Sequence, residues 1–158
     1  MNSNTNPQIP SYTLPNTPSE VNKMKAVYVG RHVLLPAQLQ ALKELEFEII
    51  KQIENLPTDP QQLNTSLNEL VQQGIEAVVT IALPPHLLAT LSSKFKVYVF
   101  EMKSSTVSSI DEAEKWVAEN PAARTYLPGR PGEPVRVLEF QAINEVKVIV
   151  QSKRVWPK

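Results

Sequence analysis

The segment Ile75-Glu-Ala-Val-Val-Thr-Ile-Ala-Leu83 is the stretch that most strongly decides the fold of this 158-residue chain. Its apolar run is nearly continuous and lacks the alternation of a strand that faces water on one side. Such runs are typical of strands buried on both faces of a parallel sheet. Because parallel strands are joined by crossover connections that are usually helices, the segment predicts alternating strands and helices on either side of it.

The residues before this strand fit that prediction. Leucines recur at helical spacing from Leu63 to Leu70, and Gly74 stands where a left-handed C-cap is expected. Asp59-Pro60 supplies a helix cap followed by a proline in the first turn. The preceding segment, Phe47–Ile53, is strand-like. A strand, a helix and another strand therefore follow one another.

The same order of strand and helix occurs nearer the N-terminus. Lys25-Ala-Val-Tyr-Val-Gly30 is a β-branched and aromatic run closed by glycine, the pattern of a buried first strand. Pro36 fits the first turn of a helix whose leucines run from Leu35 to Leu45. Residues 1–23, rich in Asn, Ser, Thr and Pro, predict a disordered tail, because they cannot bury enough apolar surface to offset the entropy of ordering. Residues 24–158 are expected to form one α/β domain.

The C-terminal third contains both kinds of element. Lys96–Glu101 is a fourth strand, and Ser109-Ile-Asp-Glu112 is a capping-box pattern that opens a helix. A Pro/Gly-rich loop, 128–134, precedes two segments, Val135–Phe140 and Val146–Val150, which predict an antiparallel hairpin at the sheet edge. The expected fold class is α/β and Rossmann-like, with an open, mostly parallel sheet, helices on both faces and a C-terminal antiparallel hairpin.

Composition excludes several kinds of function. The 16 lysines and arginines balance 16 aspartates and glutamates, so no broad basic face for a long nucleic acid is expected. The absence of cysteine excludes a disulfide framework, a thiolate zinc site and a cysteine nucleophile. No apolar run approaches the roughly 20 residues that span a bilayer, and no signal-peptide pattern is present. We expect a soluble cytoplasmic protein with no membrane partner, no cofactor and no metal.

The junction Gly30-Arg31-His32 is the principal candidate site. In parallel sheets ligands bind beyond the carboxyl ends of the strands, near the point where strand order reverses. One glycine is too few for a dinucleotide fingerprint, and no phosphate-loop pattern is present. Arg31 offers a planar fork for a phosphate, while His32 can exchange a proton near neutral pH. Together they suit metal-free phosphodiester cleavage, although a surface arginine beside a packed or capping histidine is an alternative.

One further segment and two single residues are weaker candidates. Lys103, Ser104 and Ser105 follow the fourth strand and would suit a phosphate or another polar ligand, or form an ordinary solvated loop. Arg130 lies in the Pro/Gly-rich loop, which is stiff enough to act as a ligand-covering lid or is simply a long connection. His86 is expected to be a packed or solvated histidine, and no histidine pair has the spacing of metal ligands.

The segment Val29-Gly-Arg-His32, followed by Leu35-Pro-Ala-Gln38, resembles the start of small CRISPR-associated proteins related to the CRISPR-associated Rossmann-fold sensor domains. A leucine stands here where a threonine is more typical. In order of elements the resemblance extends over residues 25–100. Several such proteins are ring nucleases, so the resemblance implies a homodimer that binds cyclic oligoadenylate across its axis and cuts it without metal. His32 would be the catalytic or ligand-orienting residue, and Arg31 would contact phosphate.

Two other functions remain open. The same pocket could sense a nucleotide without turnover, or the strand-end loops could serve a protein-interaction domain. We expect a ligand site to bring Arg31, His32, Lys103 and Arg130 to one cavity, with Gly30 allowing the chain to turn and Ser104 and Ser105 nearby. Scattered positions of these four side chains would favour the protein-interaction domain.

Overall fold

A computed structural model describes residues 23–147, together with residues 155 and 157. The predicted tail, residues 1–23, lies outside the described residues except for Lys23. The described elements, in chain order, are β1 (Met24–Val29), α1 (Pro36–Glu44), β2 (Phe47–Ile53), α2 (Pro60–Gln72), β3 (Ala77–Thr80), α3 (Pro85–Ser92), β4 (Lys96–Val107), α4 (Ile110–Glu119), β5 (Arg124–Leu127) and β6 (Val135–Val146).

The six strands form one sheet in the order β2-β1-β3-β4-β6-β5. The first four are mutually parallel, as the sequence predicted. β6 runs antiparallel to both β4 and β5. The fold is therefore α/β with a mixed sheet, and the expectation of an open, mostly parallel Rossmann-like sheet holds only for its first four strands.

The predicted C-terminal hairpin is wrong. Val135–Val146 is one strand, inserted between β4 and the short edge strand β5, which the sequence did not reveal. Glu101 pairs with Ala142 while Met102 pairs with Phe140, so Gln141 is an extra residue in the ladder. A bulge absorbs this break in the apolar pattern without ending the strand. Residues 148–150 of the expected second hairpin strand lie outside the described residues.

A second correction concerns Lys103, Ser104 and Ser105. They belong to β4, which continues to Val107, and they pair with Glu139, Leu138 and Val137 of β6. The polar composition of this segment is typical of a loop after a strand. A strand forms because β6 supplies partners for its backbone N–H and C=O groups.

The core lies on both faces of the sheet. Val27 and Val78 pack with Leu67 of α2, and Leu91 of α3 belongs to the same cluster. On the opposite face, Tyr28 and Val79 pack with Leu42 of α1. Helices therefore cover both faces of the parallel part, as predicted. Within the described ranges, no helix has the length and apolar character needed to cross a membrane.

The predicted helix caps are confirmed, except that the Glu112 carboxylate accepts from the Ser108 N–H at 3.1 Å, where a capping box would have it accept from the Ser109 N–H. The Asp59 carboxylate accepts from the Gln62 N–H at 3.0 Å, and the Ser109 hydroxyl accepts from the Glu112 N–H at 3.2 Å. Gly74 has a φ of +86°, the left-handed conformation expected at a helix end. These signals depend on residues close in sequence, which is why they could be identified without knowing the fold.

Candidate functional site

The strand order creates a crevice between β1 and β3. The chain leaves β1 to form β2 on one side, and then crosses back to place β3 on the other side. The carboxyl ends of β1 and β3 are therefore the topological switch point of the sheet, where parallel α/β folds bind their ligands.

A cavity of about 370 Å³ opens at this point, and we call it the switch-point cavity. Its volume lies within the range of small-molecule sites. Residues that follow three adjacent strands line it, among them Gly30, Arg31, His32, Glu54, Asn55 and Ile81. The sequence-predicted triplet therefore reaches a ligand-sized cavity.

The loop after β1 is held by hydrogen bonds to β2 and to Asn55, which lies just beyond β2. The Gly30 N–H donates to the Ile53 carbonyl at 2.9 Å, and the Gln52 amide donates to the Gly30 carbonyl at 2.7 Å. The Arg31 guanidinium donates to the Asn55 side-chain oxygen at 3.0 Å. The loop position is thus set before any ligand arrives, which lowers the entropic cost of binding.

Tyr28 places a buried hydroxyl beside this cavity. Its side chain is 1% exposed and lines the cavity, yet its hydroxyl has no hydrogen-bond partner among the residues that the structure describes. Burial raises the pKa of Tyr28 above its ordinary value. Buried polar atoms are nearly always bonded, so this hydroxyl is free to pair with a ligand that enters the cavity.

Thr80 ties the two strands together at the cavity. Its buried hydroxyl donates to the Val29 carbonyl at 2.8 Å, across the β1–β3 boundary. This bond satisfies a carbonyl at the end of a parallel strand and fixes the spacing of the crevice.

Charges of both signs meet at the opening. Arg31 and His32 are exposed, and Glu54 is exposed on the same cavity. The imidazole of His32 forms no hydrogen bond within the described part of the chain, whereas its backbone carbonyl accepts from Gln52 at 3.4 Å. The site therefore offers a cation, an anion and a rotatable imidazole to an entering ligand.

A second cavity, of about 360 Å³, adjoins the first, and we call it the apolar cavity. His32 and Ile81 line both cavities. The other lining residues include Leu34 and Gln38 from the start of α1, and Met102 and Leu138 from β4 and β6.

The other predicted ligand residues are not brought to this place. Lys103, Ser104 and Ser105 line neither cavity, and the Ser104 hydroxyl accepts from the Arg136 guanidinium at 2.9 Å. Arg130, in the loop before β6, and His86, exposed in α3, also lie outside both linings. Of the four side chains expected to converge, only Arg31 and His32 do so within this chain.

Sequence reasoning missed Tyr28, Glu54, Asn55 and Thr80. Tyr28 and Thr80 were assigned to the strands as packing residues, and only strand order brings them to one crevice. Glu54 and Asn55 carried a usable signal, because they follow directly after a predicted strand. Among residues 23–147, 155 and 157, no three His, Asp or Glu side chains are grouped as metal ligands would be.

No protein-family model, curated protein or solved structure matches this chain.

Proposed function

We propose that this chain binds a cyclic oligoadenylate at the switch-point cavity and opens its ring without a metal ion. The observation that carries the proposal is the delivery of Arg31 and His32, by one pinned loop, to a cavity at the topological switch point. The resemblance at Val29–His32 selects this ligand among phosphorylated small molecules.

Arg31 is the phosphate contact. Its guanidinium carries five N–H donors in a fixed fork, and the bond to Asn55 orients the group while using one of them. The remaining donors can pair with the oxygens of a phosphodiester, where a planar fork is favoured over the single ammonium of a lysine.

Glu54 is the ribose contact. It lies just beyond β2, next to the strand whose end carries the phosphate-binding loop. In dinucleotide-binding α/β folds an acidic residue after the second strand accepts from ribose hydroxyls. The Glu54 carboxylate would repel a phosphate bound at Arg31. Contact with the uncharged ribose avoids that repulsion.

The reaction is an internal transesterification. The ribose 2′-oxygen attacks the adjacent phosphorus while the bond from phosphorus to the 5′-oxygen breaks. The products are a 2′,3′-cyclic phosphate end and a 5′-hydroxyl, and no water is consumed. His32 transfers the proton from the 2′-hydroxyl to the leaving 5′-oxygen, and Arg31 stabilises the charge on the phosphoryl oxygens.

A homodimer in the cytoplasm completes the proposal. A ring ligand with two-fold symmetry matches an isologous pair of subunits, each of which supplies one Arg31 and one His32. Lys103, Ser104, Ser105 and Arg130 join the site only if the second subunit carries them to it.

Nucleotide sensing without turnover is the second candidate. It is favoured by one observation, the absence of any side chain that orients the His32 imidazole within the described residues. Efficient general bases are usually held by a further hydrogen bond.

The test is incubation of the full chain with cyclic tetra-adenylate and cyclic hexa-adenylate in chelator, followed by chromatography. We expect linear products from the wild type and from His86→Ala, a matched control whose histidine lies outside both cavities. We expect none from His32→Ala. Tight binding without products would favour the sensor, and no binding at all would favour a protein-interaction domain.

A further inference from the structure

We propose that the apolar cavity is a nucleobase subsite and that the Gln38 amide N–H donates to a ring nitrogen of the base. The inference rests on the proposed function in one respect, that the ligand is a nucleotide with its phosphate at Arg31. It adds the part of the ligand that the switch-point cavity does not accommodate.

The two cavities are neighbours that share two lining residues, His32 and Ile81. A ligand held at Arg31 would extend past the His32 side chain to reach the apolar cavity. One cavity carries charged side chains and the other is mostly apolar. A nucleotide matches this pair, because its phosphate is charged and its base has flat apolar faces.

The walls of the apolar cavity suit a flat aromatic ring. Leu34 and Leu35 approach from the start of α1, and Met102 and Leu138 from the sheet. The Met102 thioether is polarizable and makes favourable contacts with aromatic rings. An apolar lining with one or two placed polar groups is the usual construction of a small-molecule site.

Gln38 is the placed polar group. Its side chain is 2% exposed, and its Oε1 accepts from the Leu35 N–H at 2.7 Å. This bond sets the orientation of the amide, because the oxygen must face the N–H donor. The NH₂ group therefore points away from the helix start.

The NH₂ group of Gln38 has only a weak partner among the described residues. Nε2 lies 3.6 Å from the Met102 sulfur, and a thioether is a poor acceptor. A buried amide donor without a good acceptor costs free energy, and a ring nitrogen of a purine or pyrimidine would remove that cost. Since Gln38 lines the apolar cavity, a base in that cavity can meet this donor.

Gln38→Glu separates a ligand role from a capping role. Glutamate keeps the acceptor that the Leu35 N–H needs, so α1 retains its start, but it has no amide N–H to donate. Because burial favours the protonated carboxyl, whose O–H could replace the lost donor, binding is compared at neutral pH and at a more alkaline pH that favours the carboxylate. Gln40→Glu is the matched control, because it adds the same charge to α1 at an exposed position whose amide donates to Glu44.

The experiment measures binding of adenosine 5′-monophosphate and ribose 5-phosphate to the full chain by titration calorimetry. We expect the nucleotide to bind the wild type more tightly than the sugar phosphate. Gln38→Glu should weaken nucleotide binding at least tenfold, the value of about one hydrogen bond, and leave sugar-phosphate binding unchanged. Gln40→Glu should change neither.

Analogues of the nucleotide identify the acceptor atom. We expect one of the 1-deaza, 3-deaza and 7-deaza forms, each with a C–H in place of a ring nitrogen, to bind the wild type as weakly as the parent binds Gln38→Glu. Equal affinities for nucleotide and sugar phosphate, or full affinity of all three analogues, would overturn the subsite. Ring opening that depends on His32 would still support the proposed function in either case.

Discussion

The hydroxyl oxygen of Tyr28 lies 2.7 Å from the position that a Cβ atom on Gly30 would occupy. Gly30 does not have a positive φ, so its glycine is not required by the backbone conformation. It is required by the close approach of a side chain two residues earlier on the same face of β1. Gly30 therefore makes room for the Tyr28 side chain, whereas the sequence alone predicts that it serves a turn.

Gly30→Ala should destabilise the protein by about 1–3 kcal/mol through overpacking against Tyr28. Tyr28→Phe should relieve only part of the loss, because a ring carbon also lies 2.9 Å from the Cβ position. Urea unfolding of both single variants and the double variant measures the coupling. Strict additivity of the two free-energy changes would show that the contact is not the cause.

Tyr28→Phe alone should raise the free energy of unfolding by about 1 kcal/mol at neutral pH without ligand, because the folded protein no longer buries an unpaired hydroxyl. Tyr126→Phe is the control. The Tyr126 hydroxyl donates to Glu114 at 3.4 Å, and Tyr126 is only partly buried. This control should bring no gain. A loss of stability in Tyr28→Phe would mean that the hydroxyl has a partner in solution.

The stability of the wild type should fall as the pH rises above the ordinary tyrosine pKa of 10.0. Burial raises the pKa of Tyr28, so the unfolded chain releases this proton at a lower pH than the folded chain, and unfolding is favoured there. The measurement is the free energy of unfolding by urea at a series of pH values from about 8 to about 11, a range that brackets the tyrosine pKa. The fall should be smaller in Tyr28→Phe, with a remainder from Tyr98, whose pKa is raised by burial and by Glu145.

Arg31→Ala should weaken binding of cyclic tetra-adenylate by about tenfold to a hundredfold, the value of a charge-assisted hydrogen bond. Arg31→Lys should recover only part of this, because an ammonium lacks the planar fork. Arg130→Ala tests the sequence-based expectation for the loop and should leave affinity unchanged, since Arg130 lines neither cavity. Equal losses in Arg31→Ala and Arg130→Ala would contradict the single-chain site.

Arg124→Met should lower the Tm by several degrees while leaving the two cavities intact. Arg124 donates to Glu139 at 3.0 Å and to the Trp116 carbonyl at 2.8 Å, and its guanidinium lies 4.3 Å from the Trp116 ring centroid. It therefore joins α4 to β5 and β6. Arg136→Met, with one bond to Ser104, should have a smaller effect in the same calorimetric scan.

The parallel half of the fold could be predicted from the sequence because its signals are local and strong. The strands around Val27 and Val78 are mostly apolar, and the caps at Asp59 and Ser109 lie within one helical turn of their partners. Each signal needs only a few neighbouring residues to be recognised.

The antiparallel half could not be predicted in the same way. Lys103–Thr106 has the composition of a loop and becomes strand only because Arg136–Glu139 pairs with it. At the site, the glycine at the end of β1 indicated Arg31 and His32. Thr80 could not be identified, because it reaches the site only through the pairing of β1 with β3. No short stretch of sequence indicates which strands pair.

The position of β6 in the sheet has a consequence during synthesis. β4 pairs with β6 from Val97, opposite Val146, to Val107, opposite Val135, yet β6 is translated after α4 and β5. At about 5–20 residues per second, one side of β4 stays unpaired on the ribosome for seconds. Such an edge is a template for association with other nascent chains. Lys96, Glu101 and Lys103 place charges along it, and charged residues next to a hydrophobic strand are known gatekeepers against aggregation.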